Sequence, residues 1–153
     1  MPIETVDIYC LRDASHLSPI KCEDFSEAAA VCLDYHNHNQ NALLNIEGDL
    51  EQQFELTWKK VTQQMRDSRM DMDYTVESGA YCLAMIVIEK ITGLKVIQQS
   101  QKRTGFDYWL GKKDDLGMQG KARLEVSGIL KGNKTQVNRR LKEKIQQTKK
   151  VIT

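Results

Sequence analysis

Gly105-Phe-Asp-Tyr-Trp-Leu-Gly111 and Ala122-Arg-Leu-Glu-Val-Ser-Gly-Ile129 are two short strand-like runs, each carrying one acid in a largely apolar stretch. Side chains on a strand alternate between faces, so Asp107 leaves opposite Phe106 and Tyr108, and Glu125 opposite Leu124 and Val126. If the runs are neighbouring strands, both carboxylates leave one sheet on the face away from those large residues. Burying an unpaired carboxylate costs several kcal/mol, comparable to the net stability of a small domain. Such acids are therefore paired with a cation, protonated or bound to a metal.

Working outward, the sequence before the two runs predicts a helix from Val76 to Thr92, capped by Thr75 and stopped by Gly93. It is apolar nearly all round, with Tyr81, Cys82, Leu83, Met85, Ile86, Val87, Ile88 and Ile91, and is expected to pack on two sides. Glu77 sits in its first turn, where the helix dipole alone favours a carboxylate. Leu94 to Gln99 reads as a strand. After the Glu125 run a helix is predicted from Thr135 to Lys150, with an apolar stripe of Val137, Leu141, Ile145, Thr148 and Ile152 bordered by Arg140, Lys144 and Gln147. The second half thus reads helix, strand, strand, strand, helix, with an acid in the first helix and in the second and third strands.

That order and those acids resemble the PD-(D/E)XK nuclease superfamily of restriction endonucleases, archaeal-type Holliday junction resolvases and RecB-like exonucleases, over about Asp73 to Thr153. The resemblance implies an α/β (α+β) chain: a restriction endonuclease-like α-β-β-β-α core, residues 73–153, with an N-terminal β-α-β-β extension, residues 1–72. It implies that Asp107 and Glu125 hold Mg²⁺ or Mn²⁺, with Glu77 as a third ligand or general base. Mg²⁺ prefers oxygen ligands and keeps several waters, so two or three convergent carboxylates can hold it beside a phosphodiester.

The motif departs from the superfamily's at one position. Glu125-Val126-Ser127 places a hydroxyl where the resembled motif has a lysine, so the cation must come from elsewhere or catalysis is lost. In some branches that cation lies on the following helix, and Arg140 and Lys144, one turn apart, match that place. Gln147, one turn on, resembles a glutamine of RecB-like members. Lys121 and Arg123 share the parity of Glu125, although Arg123 could simply neutralise it. Another departure is the final strand, for which only Val151, Ile152 and Thr153 remain.

The first half reads as a strand from Thr5 to Leu11, a helix from Ser26 to Tyr35 capped by Asp24 or Ser26, and a hairpin of Ala42–Ile46 and Gln53–Val61 about Gly48-Asp49. Thr62 to Asp73 reads as either a short helix or a linker. Across the chain's 153 residues the net charge of +1 hides a division: residues 1–100 hold 8 Lys and Arg against 16 Asp and Glu, or −8, and residues 101–153 hold 14 against 5, or +9. A basic C-terminal third, with Lys131, Lys134, Arg139 and Gln147 in or near its last helix, suits a polyanion, DNA before RNA; a solvated basic face suits the same charges. No run is long enough to cross a bilayer, the first residues lack the pattern of a signal peptide, and four scattered cysteines suit reduced thiols, so a cytoplasmic protein is expected.

Other motifs weigh less. Gly128 to Thr135 nearly spells a phosphate-binding loop, but Asn133 replaces the glycine that lets the backbone curl round phosphates, which favours a plain turn capped by Asn133 or Thr135. Cys32, His36 and His38, with Cys10 or Cys22, could supply zinc ligands, but their spacing is irregular. Cys82 lies in the most apolar helix and reads as packing. Asp71 with Asp73 and Asp114 with Asp115 read as caps and turns. Three expectations result: a metal-dependent nuclease using Glu77, Asp107, Glu125, Ser127, Arg140 and Lys144; an inactive nuclease-like subunit that binds nucleic acid or protein; or an interaction module in which Asp107 pairs with Arg123. The small core leaves little room for base-reading elements, so a homodimer or a place in a larger DNA-processing or defence assembly is expected.

Overall fold

The computed structural model describes residues 2–112 and 122–149. Its central helix, α4 (Met72–Thr92), begins one turn earlier than predicted, because Asp71 and not Thr75 caps it. The Asp71 carboxylate accepts the Tyr74 N–H at 3.2 Å. Thr75 is buried inside the first turn and donates its hydroxyl to the Asp71 carbonyl at 2.8 Å. The far end is as predicted: Gly93, left-handed at φ 75°, donates its N–H to the Glu89 carbonyl at 2.8 Å.

Helix α2 (Pro19–Tyr35) packs along α4 and also starts early. Ser18 accepts the Lys21 N–H at 3.2 Å, and Pro19 fills the first helical position, where its missing N–H costs nothing. The charged residues Lys21, Glu23 and Asp24 hid this first turn from a reading based on apolar spacing. The two helices approach closely where Gly79 meets the backbone of Ala28 and Ala29. A Cβ on Gly79 would come within 3.1 Å of the Ala29 Cα, so one of the two helices would have to give by a few tenths of an ångström.

The first strand is shorter than predicted. β1 (Glu4–Asp7) ends where the Asp7 side chain accepts the Tyr9 N–H at 2.9 Å, turning the chain into a 3-10 turn (Ile8–Cys10) and a helical turn, α1 (Leu11–Ala14). β2 (Ala42–Ile46) and β3 (Gln52–Thr57) form the expected antiparallel hairpin, although β3 stops before Val61. β1 joins β3 in parallel, giving the order β1-β3-β2. Between β3 and α4, a short helix α3 (Gln63–Asp67) is capped by Thr62.

The second sheet is antiparallel in the order β4-β5-β6, with β4 at Lys95–Gln99, β5 at Tyr108–Gly111 and β6 at Ala122–Leu124. Helix α5 (Lys134–Lys149) follows, so α4 to α5 runs α-β-β-β-α in an α+β fold. Asn133 caps α5 as predicted, with reciprocal 2.9 Å bonds between its backbone N–H and side chain and those of Gln136. Lys121, Asp114, Asp115 and Ile152, singled out in the sequence, lie outside the described residues.

Ile8, Leu11, Phe25, Phe54, Met85, Val96 and Tyr108 belong to one buried cluster that draws on both sides of residue 72. Each large apolar side chain so buried contributes about 1.5–3 kcal/mol before entropy is set against it. Arg69, its side chain 8% exposed, adds a polar clasp between α2 and the α3–α4 linker. It reaches Asp24 at 2.7 Å and Glu27 at 3.1 Å, while the Tyr74 hydroxyl donates to Asp24 at 2.6 Å. Helix α5 lies apart from this core. Its stripe is there, but Val137, Leu141 and Ile145 are 47%, 56% and 45% exposed. Among the described residues no helix is long and apolar enough to cross a membrane.

Candidate active site

Asp107 and Glu125 are brought together by the pairing of β5 with β6. Tyr108 stands opposite Leu124 and Trp109 opposite Arg123, and the Asp107 N–H extends the ladder to the Leu124 carbonyl at 2.9 Å. Asp107 thus lies just before β5 and Glu125 just after β6, rather than within the strands as predicted. The frayed strand ends leave backbone groups for the acids to bond. The Asp107 carboxylate accepts the Val126 N–H at 2.8 Å.

Within this arrangement Glu125 feels the neighbouring charge of Asp107. Burial pushes its carboxyl above the ordinary range, the charge of Asp107 adds to that, and the Lys144 ammonium opposes both. Lys144 meets Glu125 Oε1 at 3.0 Å, the carboxylate side chain being only 9% exposed. A buried acid with a neighbouring acid and a cation is a group whose charge is held in place by its surroundings.

Arg140, one turn before Lys144, donates to the Ser127 hydroxyl at 2.7 Å. A guanidinium on α5 therefore stands against Ser127, two residues after Glu125. Gln147, one turn beyond Lys144, donates to the Gly105 carbonyl at 3.4 Å, at the entry to the Asp107 run. Arg140, Lys144 and Gln147 share one edge of α5, and that edge faces the acids. Segment 126–130 is held over α4 by Gly128, where a Cβ would fall 2.8 Å from the Val76 carbonyl.

Glu77 lies on α4 and is bonded to Tyr81, a residue of the helix's apolar surface. The Tyr81 hydroxyl donates to Glu77 Oε1 at 2.7 Å. Tyr81 packs edge-on to Tyr108 at 5.2 Å between ring centroids, and burial, the hydrogen bond to Glu77 and the charge of Asp107 all push its phenol up. Spacing gave a signal, since Glu77 and Tyr81 are four apart on one helix face. Among the described residues no group of three or more His, Cys, Asp or Glu side chains converges as a metal cage. Glu77 therefore does not complete a three-carboxylate cage with Asp107 and Glu125; a hard divalent cation on the remaining two acids would have to keep most of its waters.

Two clefts adjoin the site, and the acids line the first of them. One, of about 570 Å³, is lined by Tyr81, Asp107, Tyr108, Glu125 and Gln147, with Lys102 and Arg103 in the loop above them. The other, of about 390 Å³, is lined by Glu77, Ser127, Arg140 and Lys144. Lys131 and Arg139 are exposed, Arg139 about 100° round the helix from Arg140, and Lys134 lines a different cleft beside the β2–β3 hairpin.

Arg123 neither bridges the acids nor pairs with Asp107 in the cross-strand contact considered above. Its guanidinium lies over Phe106 and Trp109, 5.2 and 5.8 Å from their centroids, and its buried Nη1 has no hydrogen-bond partner. The zinc alternative is not assembled either. His36 Nε2 is 2.6 Å from the Leu130 carbonyl, and the Cys32 thiol points to the Thr75 carbonyl at 3.7 Å. Cys82 is packing, its thiol pushed up to about 12 chiefly by burial.

No protein-family model, curated protein or solved structure matches this chain.

Proposed function

We propose that the chain is a metal-dependent phosphodiesterase of the PD-(D/E)XK type, acting on nucleic acid in the cytoplasm, DNA before RNA. The observation that carries this reading is the Asp107–Glu125 pair, lining one cleft with Lys144 on one acid and Arg140 at the place of the resembled motif's lysine. Asp107 and Glu125 would hold Mg²⁺ or Mn²⁺, which supplies Lewis acidity that acidifies water and offsets charge gathering on a phosphate. The chain's own residues do the rest. Tyr81 orients Glu77 toward the α4 side of the cleft, the Val126 N–H fixes Asp107, and Arg140 and Lys144 offer fixed positive charge to a phosphate oxygen. Lys102 and Arg103, which line the cleft of the acids, supply cations for a polyanionic backbone.

The test is cleavage of DNA and RNA with and without Mg²⁺ or Mn²⁺, by the wild type and by Asp107→Asn. Cleavage that needs the metal and is lost in the variant supports the proposal. Equal traces from both proteins sink it.

The Lys144–Glu125 ion pair favours a second reading, because it satisfies the buried acid without a metal. On that reading the protein is an inactive nuclease-fold subunit that binds nucleic acid or a protein partner. Salt-dependent DNA binding that survives Asp107→Asn, with no cleavage by either protein, would select it.

A further inference from the structure

Helix α5 carries six cations and one acid between Lys134 and Lys149. Its apolar stripe is exposed at Val137, Leu141 and Ile145, each about four residues from the next. Solvent contact along three aligned large side chains is a cost that a soluble helix normally avoids by packing. The stripe does not face open solvent on every side. Val137 and Leu141 form one wall of a cleft of about 920 Å³ whose other wall is the β2–β3 hairpin, with Glu47 and Glu51. Residues 42–57 hold four acids and no Lys or Arg, so the far wall is purely acidic in charge.

An occupant of this cleft must be apolar where it meets the stripe and basic where it meets the hairpin. Helix α5 itself has that character. Around the helix, Arg139 lies nearly opposite the stripe and Lys142 about a quarter-turn from it. A helix about 10 Å across displaces on the order of 100 Å³ per residue, so the cleft has room for about two turns.

We propose that this cleft receives α5 of a second copy, in a two-fold dimer in which each chain gives its helix and takes the other's. Stripe meets stripe between the two α5 helices. The outer face of each, with Arg139 and Lys142, meets Glu47 and Glu51 of the other copy. The acidic hairpins offset the repulsion that two basic helices would otherwise suffer, and the isologous geometry closes without leaving a second stripe exposed. The arrangement leaves the opposite edge of α5, with Arg140 and Lys144, on the carboxylate pair.

Sedimentation equilibrium of the full chain tests it, with the expected mass approaching twice 17.6 kDa as concentration rises. Leu141→Asp and Ile145→Asp, each on a residue exposed in a single copy, should weaken the dimer by about thirtyfold or more, with unchanged circular dichroism. Glu47→Lys with Glu51→Lys should also dissociate it, and adding Arg139→Glu with Lys142→Glu should restore it. A strict monomer at every concentration overturns the proposal, and so does a dimer indifferent to both stripe variants. Loss of dimer in the hairpin variant with no rescue by the compensating charges overturns the seating of the helix in this cleft. A wild-type monomer whose stripe variants lose DNA binding would assign the stripe to nucleic acid instead.

Discussion

Arg140 donates to the hydroxyl of Ser127 at 2.7 Å, so α5 docks a guanidinium two residues from the buried acid Glu125.

Arg140→Ala should therefore lower metal-dependent cleavage by about a hundredfold, the usual cost of removing one donor aimed at developing charge. Arg140 is exposed, so the melting temperature should hardly move. Ser127→Ala, which removes only the anchor, should cost much less. Equal losses in the two variants would show that positioning, and not charge, is what Arg140 supplies.

If Glu125 holds a metal as proposed, Lys144 must compete with it. In Lys144→Ala, the increase in melting temperature on adding Mg²⁺ should grow, because the cation no longer displaces an ammonium held at 3.0 Å, while turnover falls. A wild-type protein whose melting temperature ignores Mg²⁺, and a variant that ignores it too, would remove the metal from the site.

The raised pKa of Glu125 makes a pH prediction. Its folded carboxyl holds a proton above the ordinary 4.5, so the folded state binds more protons than the unfolded one between those values. Its contribution therefore favours folding below 4.5 and is lost as pH rises through the folded value, leaving a net cost at neutral pH. Asp107→Asn removes one source of that cost while keeping an acceptor for the Val126 N–H. At pH 7 this variant should be as stable as the wild type or more so in urea, yet inactive. A clear loss of stability would mean that Asp107 serves the fold first.

Asp24 behaves oppositely. Although burial pushes its carboxyl up, hydrogen bonds from Tyr74 and Arg69 outweigh it and hold the group below the ordinary 3.8. The stability it contributes is present above that value and is lost as pH falls through the folded one. Arg69→Ala should cost about 3 kcal/mol at pH 7, since it leaves two partly buried acids without their cation. The difference from wild type should narrow at low pH. Urea melts at two pH values read this directly.

Much of this was written in the sequence at the level of pattern. Apolar spacing marked α4, alternation marked the β2–β3 hairpin and the two acid-bearing runs, and Asn133 announced the start of α5. Helix starts were missed where a capping residue preceded a polar first turn, as with Ser18 and Asp71, because periodicity registers apolar faces and not caps. The acids Asp107 and Glu125 were legible as isolated charges in apolar runs. Their partners were not: Tyr81 reads as core until its hydroxyl is seen on Glu77, and Arg69 is one more charge in a polar linker until its guanidinium is seen against Asp24. The stripe of α5 was legible as a stripe, but its exposure depends on where the helix is tethered, which spacing does not encode.

That tether has a thermodynamic meaning. The bonds that hold α5 to the sheet, Arg140 to Ser127, Lys144 to Glu125 and Gln147 to Gly105, are made by the same side chains that furnish the site with its cations and amide. Helix docking and the charge state of the acid pair are then linked functions of one another. Whatever takes Glu125 from Lys144 loosens α5, and by reciprocity whatever clamps α5 from outside changes the affinity of the acids for a cation by the same factor.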